Sequence, residues 1–277
     1  MLSDTNLLLK EAQLHKYAVP AFNVFNLETV QAAIHVAERE SHPVIIALGE
    51  RYFSSVDVEG FAELVKTLAR KSSAPVALHL DHAYGRDSII RAIRNGFTSV
   101  MYDGSKYSLN ENIRRTKDIV HIAHAVGVSV EAEIGSVARG AFSDEEDGDG
   151  RLTNPTSAKE FVDSTGVDFL APAIGTVHGM YKGEPNVNLK LLADIRESVH
   201  VPLVLHGGSG TPEGVLKQSI ELGICKVNVN TEVSVAAVSY LSTLALYELP
   251  HLSTVMIGVQ NSMEQVMTKF VRLFKNR

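Results

Sequence analysis

VPLVLHGGSG, residues 201 to 210, changes character at its sixth residue. Val201 to Leu205 is an unbroken apolar run, the pattern of a short strand buried on both faces. His206 ends it, four small residues follow, and Pro212-Glu213 opens a helical pattern with proline at a first-turn position. An imidazole thus stands where a strand stops, beside a loop whose bare N–H groups face the start of a helix, a place that suits an anion. A metal ligand next to a phosphate cradle is one reading, and a tight turn with a hydrogen-bonded histidine is the other.

Working outward, the same strand-then-helix pattern recurs along the chain. Strands are expected at 19–25, 43–48, 75–80, 98–102, 128–132, 167–174, 201–205 and 224–229. Helices are expected at 27–39, 58–70, 87–94, 110–125, 157–164, 189–198, 213–222 and 231–246 between and after them. An amphipathic helix at 4–16, with Leu7, Leu8 and Leu14 on one side, precedes the series, and a final helix at about 263–274 follows it. Strict alternation imposes parallel strands with right-handed crossovers. Eight units in 277 residues point to an α/β fold, a single (β/α)8 TIM barrel over residues 1–277 with extra N- and C-terminal helices. An open doubly wound sheet would place a glycine-rich fingerprint after the first strand, and Phe25-Asn26-Leu27 has none.

The net charge of -6 and the lack of a basic block argue against nucleic-acid binding. No apolar run reaches the roughly 18–20 residues of a membrane span, and residues 1–10 lack a signal-peptide core. A soluble cytoplasmic protein is expected. Cys225, the single cysteine, reads as an inert core thiol.

In such a barrel all strand C-termini share one face, where active sites lie. The strand ends hold Asn23, Asp81, His82, Asp103, Glu133, His178, His206 and Asn228 to Thr231. Three histidines from separate strands suit a catalytic zinc with an open fourth position. His15, His35, His121 and His124 fall on helices, His42 and His200 come just before strands and His79 lies within one, and these read as structural or surface residues. The loops after the seventh and eighth strands, 207–210 and 228–231, are small, amide-rich and hydroxyl-rich, and form the usual phosphate corner of such barrels. Residues 135–154 are the one long irregular stretch, with the acidic run Asp144-Glu145-Glu146-Asp147. A loop this long is a functional lid or a solvated tip.

Several motifs together carry a resemblance. They are VPAFNVFN near the N-terminus, LHLDHA (78–83), SVMYDGS (99–105), SVEAEIG (129–135), AIGTVHGMYKGEP (173–185), VPLVLHGGSG and KVNVNTE. Across nearly its whole length the chain resembles the class II, metal-dependent fructose-bisphosphate and tagatose-bisphosphate aldolases. The resemblance implies a zinc ion on His82, His178 and His206, with Asp81 as acid/base on the substrate hydroxyl. It implies that Asn23, Gly179, Lys182, Gly207, Gly208, Ser209, Asn228, Val229, Asn230 and Thr231 bind substrate, dihydroxyacetone phosphate being the half held by the small-residue loops. It further implies a second divalent metal on Asp103 and Glu133, a monovalent cation, Na+ or K+, near the phosphate, and a homodimer or homotetramer. The family's loop glutamate, which protonates the carbanion, would be Glu145 or Glu146, with Glu146 the residue expected.

The chain departs from the family in two places. Ala138-Arg139-Gly140-Ala141 stands where Gly-Gly-x-Glu-Asp is common, and an Asp-Pro-Arg segment after the last barrel helix is missing. Both departures bear on which ketose phosphate is taken. Two other functions use the same barrel. One is a Schiff-base enzyme with Lys226 as nucleophile, and the other is a non-catalytic barrel subunit associated with such an aldolase.

Overall fold

A computed structural model describes residues 2–244 and 250–275. Its elements in chain order begin α1 (Thr5–His15), β1 (Val19–Asn23), α2 (Leu27–Glu40), β2 (Val44–Gly49), a 3-10 turn (Glu50–Ser54), α3 (Val58–Lys71) and β3 (Val76–Ala83). They continue with α4 (Arg86–Arg94), β4 (Ser99–Tyr102), α5 (Leu109–His124), β5 (Ser129–Ile134), the two-residue β6 (Ala138–Arg139), α6 (Pro155–Thr165), β7 (Phe169–Pro172) and β8 (Val177–His178). The chain closes with α7 (Leu189–Ser198), β9 (Leu203–Leu205), α8 (Glu213–Glu221), β10 (Ile224–Val229), α9 (Thr231–Leu244) and α10 (Leu252–Phe274). Eight strands close a parallel barrel in the order β1-β10-β9-β7-β5-β4-β3-β2, and β6 pairs with β8 in a separate two-stranded sheet on the rim. The (β/α)8 expectation holds.

The barrel strands are buried along their whole length because each faces helices on one side and the interior on the other. Alternate residues such as Leu78, Leu80, Val130, Val227 and Val229 join the helix-facing core. The residues between them line the interior, and their chemistry changes along the axis. Val19, Ala21, Ile45, Ala77, Phe169 and Val204 pack with Leu8, Leu9 and Ala12 of α1, which plugs the N-terminal end. Above them lie His79, Ser99, Glu131 and Lys226, and above these Asp81, Glu133 and Asn228. An apolar floor thus carries a buried ionic layer, and that layer carries the rim.

Several local expectations are corrected. The buried face of α1 is Thr5, Leu8, Leu9 and Ala12, whereas Leu7 and Leu14 are exposed. Pro212 is the N-cap of α8, not its first turn. The last helix begins at Leu252, about three turns before the expected start, and packs along α2 and α9. The stretch 135–154 contains β6, whose partner β8 was not foreseen. Residues 245–246, the expected end of the helix from Thr231, lie outside the described residues.

Candidate active site

Neighbouring residues on a strand point to opposite faces, so Asp81 and His82 should not both face the interior. An irregularity in β3 resolves the conflict. Leu80 pairs with Val100 but Ala83 pairs with Tyr102, so one extra residue is accommodated against β4 at Asp81-His82. His82 takes a left-handed conformation, φ 43°, and both side chains are buried in the site. A left-handed histidine costs on the order of 1–3 kcal/mol, which surrounding contacts must offset.

Those contacts are carboxylates. His82 Nδ1–H donates to Asp103 Oδ2 at 2.9 Å, and Asp103 Oδ1 in turn accepts the Ser105 N–H at 3.0 Å. His206, just past β9, donates through Nε2–H to Glu131 Oε1 at 2.9 Å, and Lys226 Nζ donates to Glu131 Oε2 at 2.7 Å. Burial pushes the Glu131 and Asp103 carboxyls upward. Lys226 and the His206 bond outweigh it for Glu131, the His82 bond and charge outweigh it for Asp103, and both settle at about 2. Both acids are therefore ionised acceptors, which assigns the tautomers: His82 carries its proton on Nδ1 and His206 on Nε2.

The opposite nitrogens of the two rings face each other, His206 Nδ1 to His82 Nε2 at 2.9 Å, with His178 Nε2 at 3.4 Å from His206 Nδ1. In neutral rings these are converging lone pairs that repel unless a cation lies between them. Ligand nitrogens of tetrahedral zinc, at 2.0–2.1 Å from the ion, stand about 3.3 Å apart. The donor set fits a divalent ion in charge, tautomer and spacing. Burial disfavours charge on His82, but Glu145, Asp81 and Asp103 raise its pKa well above the ordinary value, so the surrounding acids favour positive charge at this point. Burial and the neighbouring imidazoles hold His178 well below its usual value.

A second group with close ligand atoms is His82, Asp103 and Glu133. Glu133 Oε2 is buried without a partner, and burial followed by the Asp103 charge pushes this carboxyl well above its ordinary value. His82 Nδ1 is already committed to Asp103, so a second cation here would rely on the two carboxylates.

Asp81 is 1% exposed and accepts from two amides, Asn23 Nδ2 at 2.8 Å and Asn228 Nδ2 at 3.0 Å. Burial opposes its ionisation, yet His82, Lys226 and His206 hold its carboxyl well below the usual range. It is a fixed carboxylate beside the imidazoles, able to accept a proton from a substrate hydroxyl.

The loop after β9 and the end of β10 bound a small cavity of about 20 Å³, lined by Gly179, Gly207, Ser209, Asn230 and Thr231 with Glu145 as its cover. Gly207 has φ 77°, and a Cβ there would lie 2.2 Å from the Val177 carbonyl oxygen, so only glycine permits this close approach. The N-terminus of α9 at Thr231 adds a partial positive charge suited to an anion. On the other side of His82 and His178 lies a larger cavity of about 300 Å³ with a predominantly acidic wall that includes Asp103, Glu133, Glu145, Glu146, Asp147 and Asp149.

Of the expected substrate contacts, Asn23, Gly179, Gly207, Ser209, Asn228, Asn230 and Thr231 line the small cavity. Gly208 gives its N–H to the Asn228 carbonyl at 2.9 Å, and the Val229 side chain is packed in the helix-facing core. Lys182 is exposed. The loop glutamate differs from the expectation. Glu145 lies among Asp81, His82 and Arg51, while Glu146 is exposed and only borders the larger cavity. Its direction is set by Ser143 Oγ, which accepts the Glu145 N–H at 3.2 Å, and by the Arg51 guanidinium.

Glu131 and Arg51 were not foreseen. For Glu131 a signal existed: residues two apart on a strand share a face, which pairs Glu131 with Glu133, His79 with Asp81 and Lys226 with Asn228. Nothing in the order of residues marks Arg51, whose partners are about 94 positions away.

Comparison with known proteins shows the family of the chain. The family model described as fructose-bisphosphate aldolase class-II matches residues 3–277. The YdjI aldolase from Escherichia coli K12 is 34% identical, with 99% of this chain and 97% of that one covered and a TM-score of 0.87. A putative fructose-1,6-biphosphate aldolase from Coccidioides immitis is also 34% identical, with 99% and 96% covered and a TM-score of 0.90. The fructose-bisphosphate aldolase of Campylobacter jejuni, at 22% identity, 98% and 93% coverage and a TM-score of 0.82, shares the fold. The chain belongs to the class II fructose-bisphosphate aldolase family and is a lyase.

Proposed function

We propose that this protein is a zinc-dependent aldolase that reversibly cleaves a ketose phosphate into dihydroxyacetone phosphate and an aldehyde. The ketose would be of the fructose-1,6-bisphosphate or tagatose-1,6-bisphosphate type, and the aldehyde of the glyceraldehyde 3-phosphate type. One observation carries the reading. Two imidazoles whose outer N–H groups are each committed to an ionised acid turn their lone pairs toward one point, beside a buried carboxylate. His82, His178 and His206 would hold the ion, which supplies a Lewis acid for the negative charge left on the ketone half. The membership of a metal-dependent family supports this.

The chain's own residues do the rest. Asp81 takes the proton of the hydroxyl on the aldehyde carbon as the carbon–carbon bond breaks, and the bonding electrons pass to the ketone half as an ene-diolate. Asn23 and Asn228 keep the Asp81 carboxylate aimed and stabilise its charge. Glu145, which lies beside Asp81, His82 and Arg51, would return a proton to the ene-diolate carbon, giving dihydroxyacetone phosphate. The loops at 207–209 and 228–231 hold the phosphate, with a monovalent cation beside it. Lys226 acts from below as the counter-ion of Glu131. An ammonium donating to a carboxylate has no lone pair to offer a carbonyl, which argues against the Schiff-base reading.

Residues 1–277 would act as one domain within a homodimer or homotetramer, to which the exposed Val235, Val238 and Leu241 of α9 are available. No described helix is long and apolar enough to cross a membrane, in keeping with a cytoplasmic enzyme. The test is retro-aldol turnover on a panel of ketose mono- and bisphosphates, before and after chelation and with borohydride. Turnover that chelator abolishes, zinc restores and borohydride leaves untouched is the expected result. Chelator-resistant turnover with covalent trapping of substrate would overturn the reading.

A further inference from the structure

The loop from β5 to α6 is held in two different ways. Its stem is fixed by backbone bonds: Ser136 N–H to Arg151 O at 2.8 Å, Gly140 N–H to His178 O at 2.7 Å, and the reciprocal Ala141–Met180 pair at 2.8 Å. Its tip rests largely on side chains. Two consecutive residues just past β2 reach two consecutive residues of the tip. The Arg51 guanidinium donates through Nη1 and Nη2 to Glu145 Oε1, and the Tyr52 hydroxyl donates to Asp144 Oδ2. From the opposite side of the site, Asn230 Nδ2 donates to Asp144 Oδ1 at 3.0 Å.

The Arg51 pair is sheltered, with side-chain exposures of 19% and 10% for the two partners, so it is screened less than a surface pair. The guanidinium is itself braced. It lies over the Tyr52 ring at 5.2 Å, that ring packs on Phe25 at 5.3 Å, and a Cβ on Gly49 would come within 3.2 Å of Arg51 Cζ. A planar donor held this way fixes where Glu145 Oε1 sits, and the Glu145 N–H bond to Ser143 Oγ at 3.2 Å restrains the backbone that carries it, so together they limit how the carboxylate can turn.

Glu145 borders both cavities, as do His82 and His178. The inner one, about 20 Å³, has room for about one water. A phosphorylated substrate therefore enters only when the segment carrying Ser143 and Glu145 moves aside, and the glutamate must then return in a defined orientation.

We propose that Arg51 is a positioning residue. It draws Glu145 back over the bound substrate and aims its carboxylate at the carbon that gains the proton, while Tyr52 and Asn230 set the tip through Asp144. The assignment rests on the proposed aldolase reading, in which Glu145 carries that proton.

The test compares Arg51→Met, Arg51→Lys, Glu145→Gln and the double variant Arg51→Met/Glu145→Gln. Two rates are read: cleavage of the best ketose phosphate, and exchange of the carbon-bound proton of dihydroxyacetone phosphate with deuterated water. Arg51→Met is expected to slow exchange about 10- to 100-fold, less than the roughly 10²- to 10⁴-fold that an acid/base supplies, because the glutamate is misaimed and not removed. KM should change less than about threefold and bound zinc per chain should stay the same, with Arg51→Lys intermediate. In the Glu145→Gln background Arg51→Met should add nothing, because it acts through that side chain. A conformational readout is independent of turnover. The chain has no tryptophan, so Phe142→Trp, next to the tip and 80% exposed in the native residue, gives a single reporter. Its emission should respond to dihydroxyacetone phosphate, and the response should be lost with Arg51→Met.

Exchange within twofold of wild type in Arg51→Met, or an equal slowing with and without Glu145, would overturn the assignment alone. A wild-type protein with neither exchange nor cleavage would remove the aldolase reading and this assignment with it.

Discussion

His82 concentrates the local conflict of the site. Its left-handed backbone and the irregularity in β3 turn it inward beside Asp81, and the bond to Asp103 fixes which nitrogen is free. Asp81 is the better residue on which to test chemistry apart from metal binding. It is expected to accept a proton rather than to hold the ion, so Asp81→Ala should keep zinc while kcat falls by about 10²- to 10⁴-fold. Metal analysis and turnover on the same sample check this, and wild-type turnover would remove Asp81 from the role. The three histidines and Asp81 were legible because strand ends converge on one face of a barrel. The acids behind them were less so. Glu131 sits mid-strand, where an apolar partner is the usual expectation, and only the two-residue spacing from Glu133 betrays it. Choosing between Glu145 and Glu146 required Arg51, which sequence distance hides.

At the scale of elements, the alternation of strands and helices was readable because each strand carries a short β-branched run and each helix a longer periodic one. What misled was local. In α1 three leucines suggested one face, but the helix must close the floor of the barrel, and the side that does so carries Thr5, Leu8, Leu9 and Ala12. Leu9 is fully buried there, so Leu9→Ala should destabilise the fold by about 2–5 kcal/mol. Leu14→Ala, at an exposed site, should stay within about 0.5 kcal/mol of wild type. Denaturant titration of the two variants checks the pair, and equal losses would contradict the assignment of the buried face. The β6–β8 pair left no signature, since two residues cannot establish a period.

Across the whole molecule the interior of the barrel is graded. α1 and apolar side chains close one end, the Lys226–Glu131 pair with His79 fills the middle, and the imidazoles and carboxylates stand at the open end. Lys226 offsets one of the buried negative charges, and the rest call for a further cation. The acidic excess around His82 and the facing nitrogens of the rings have the same remedy, one divalent ion. X-ray absorption at the zinc edge, on protein loaded with one equivalent, reads this directly. Three imidazole nitrogens at about 2.0–2.1 Å are expected, whereas a spectrum with one imidazole or none in the coordination sphere would contradict the account.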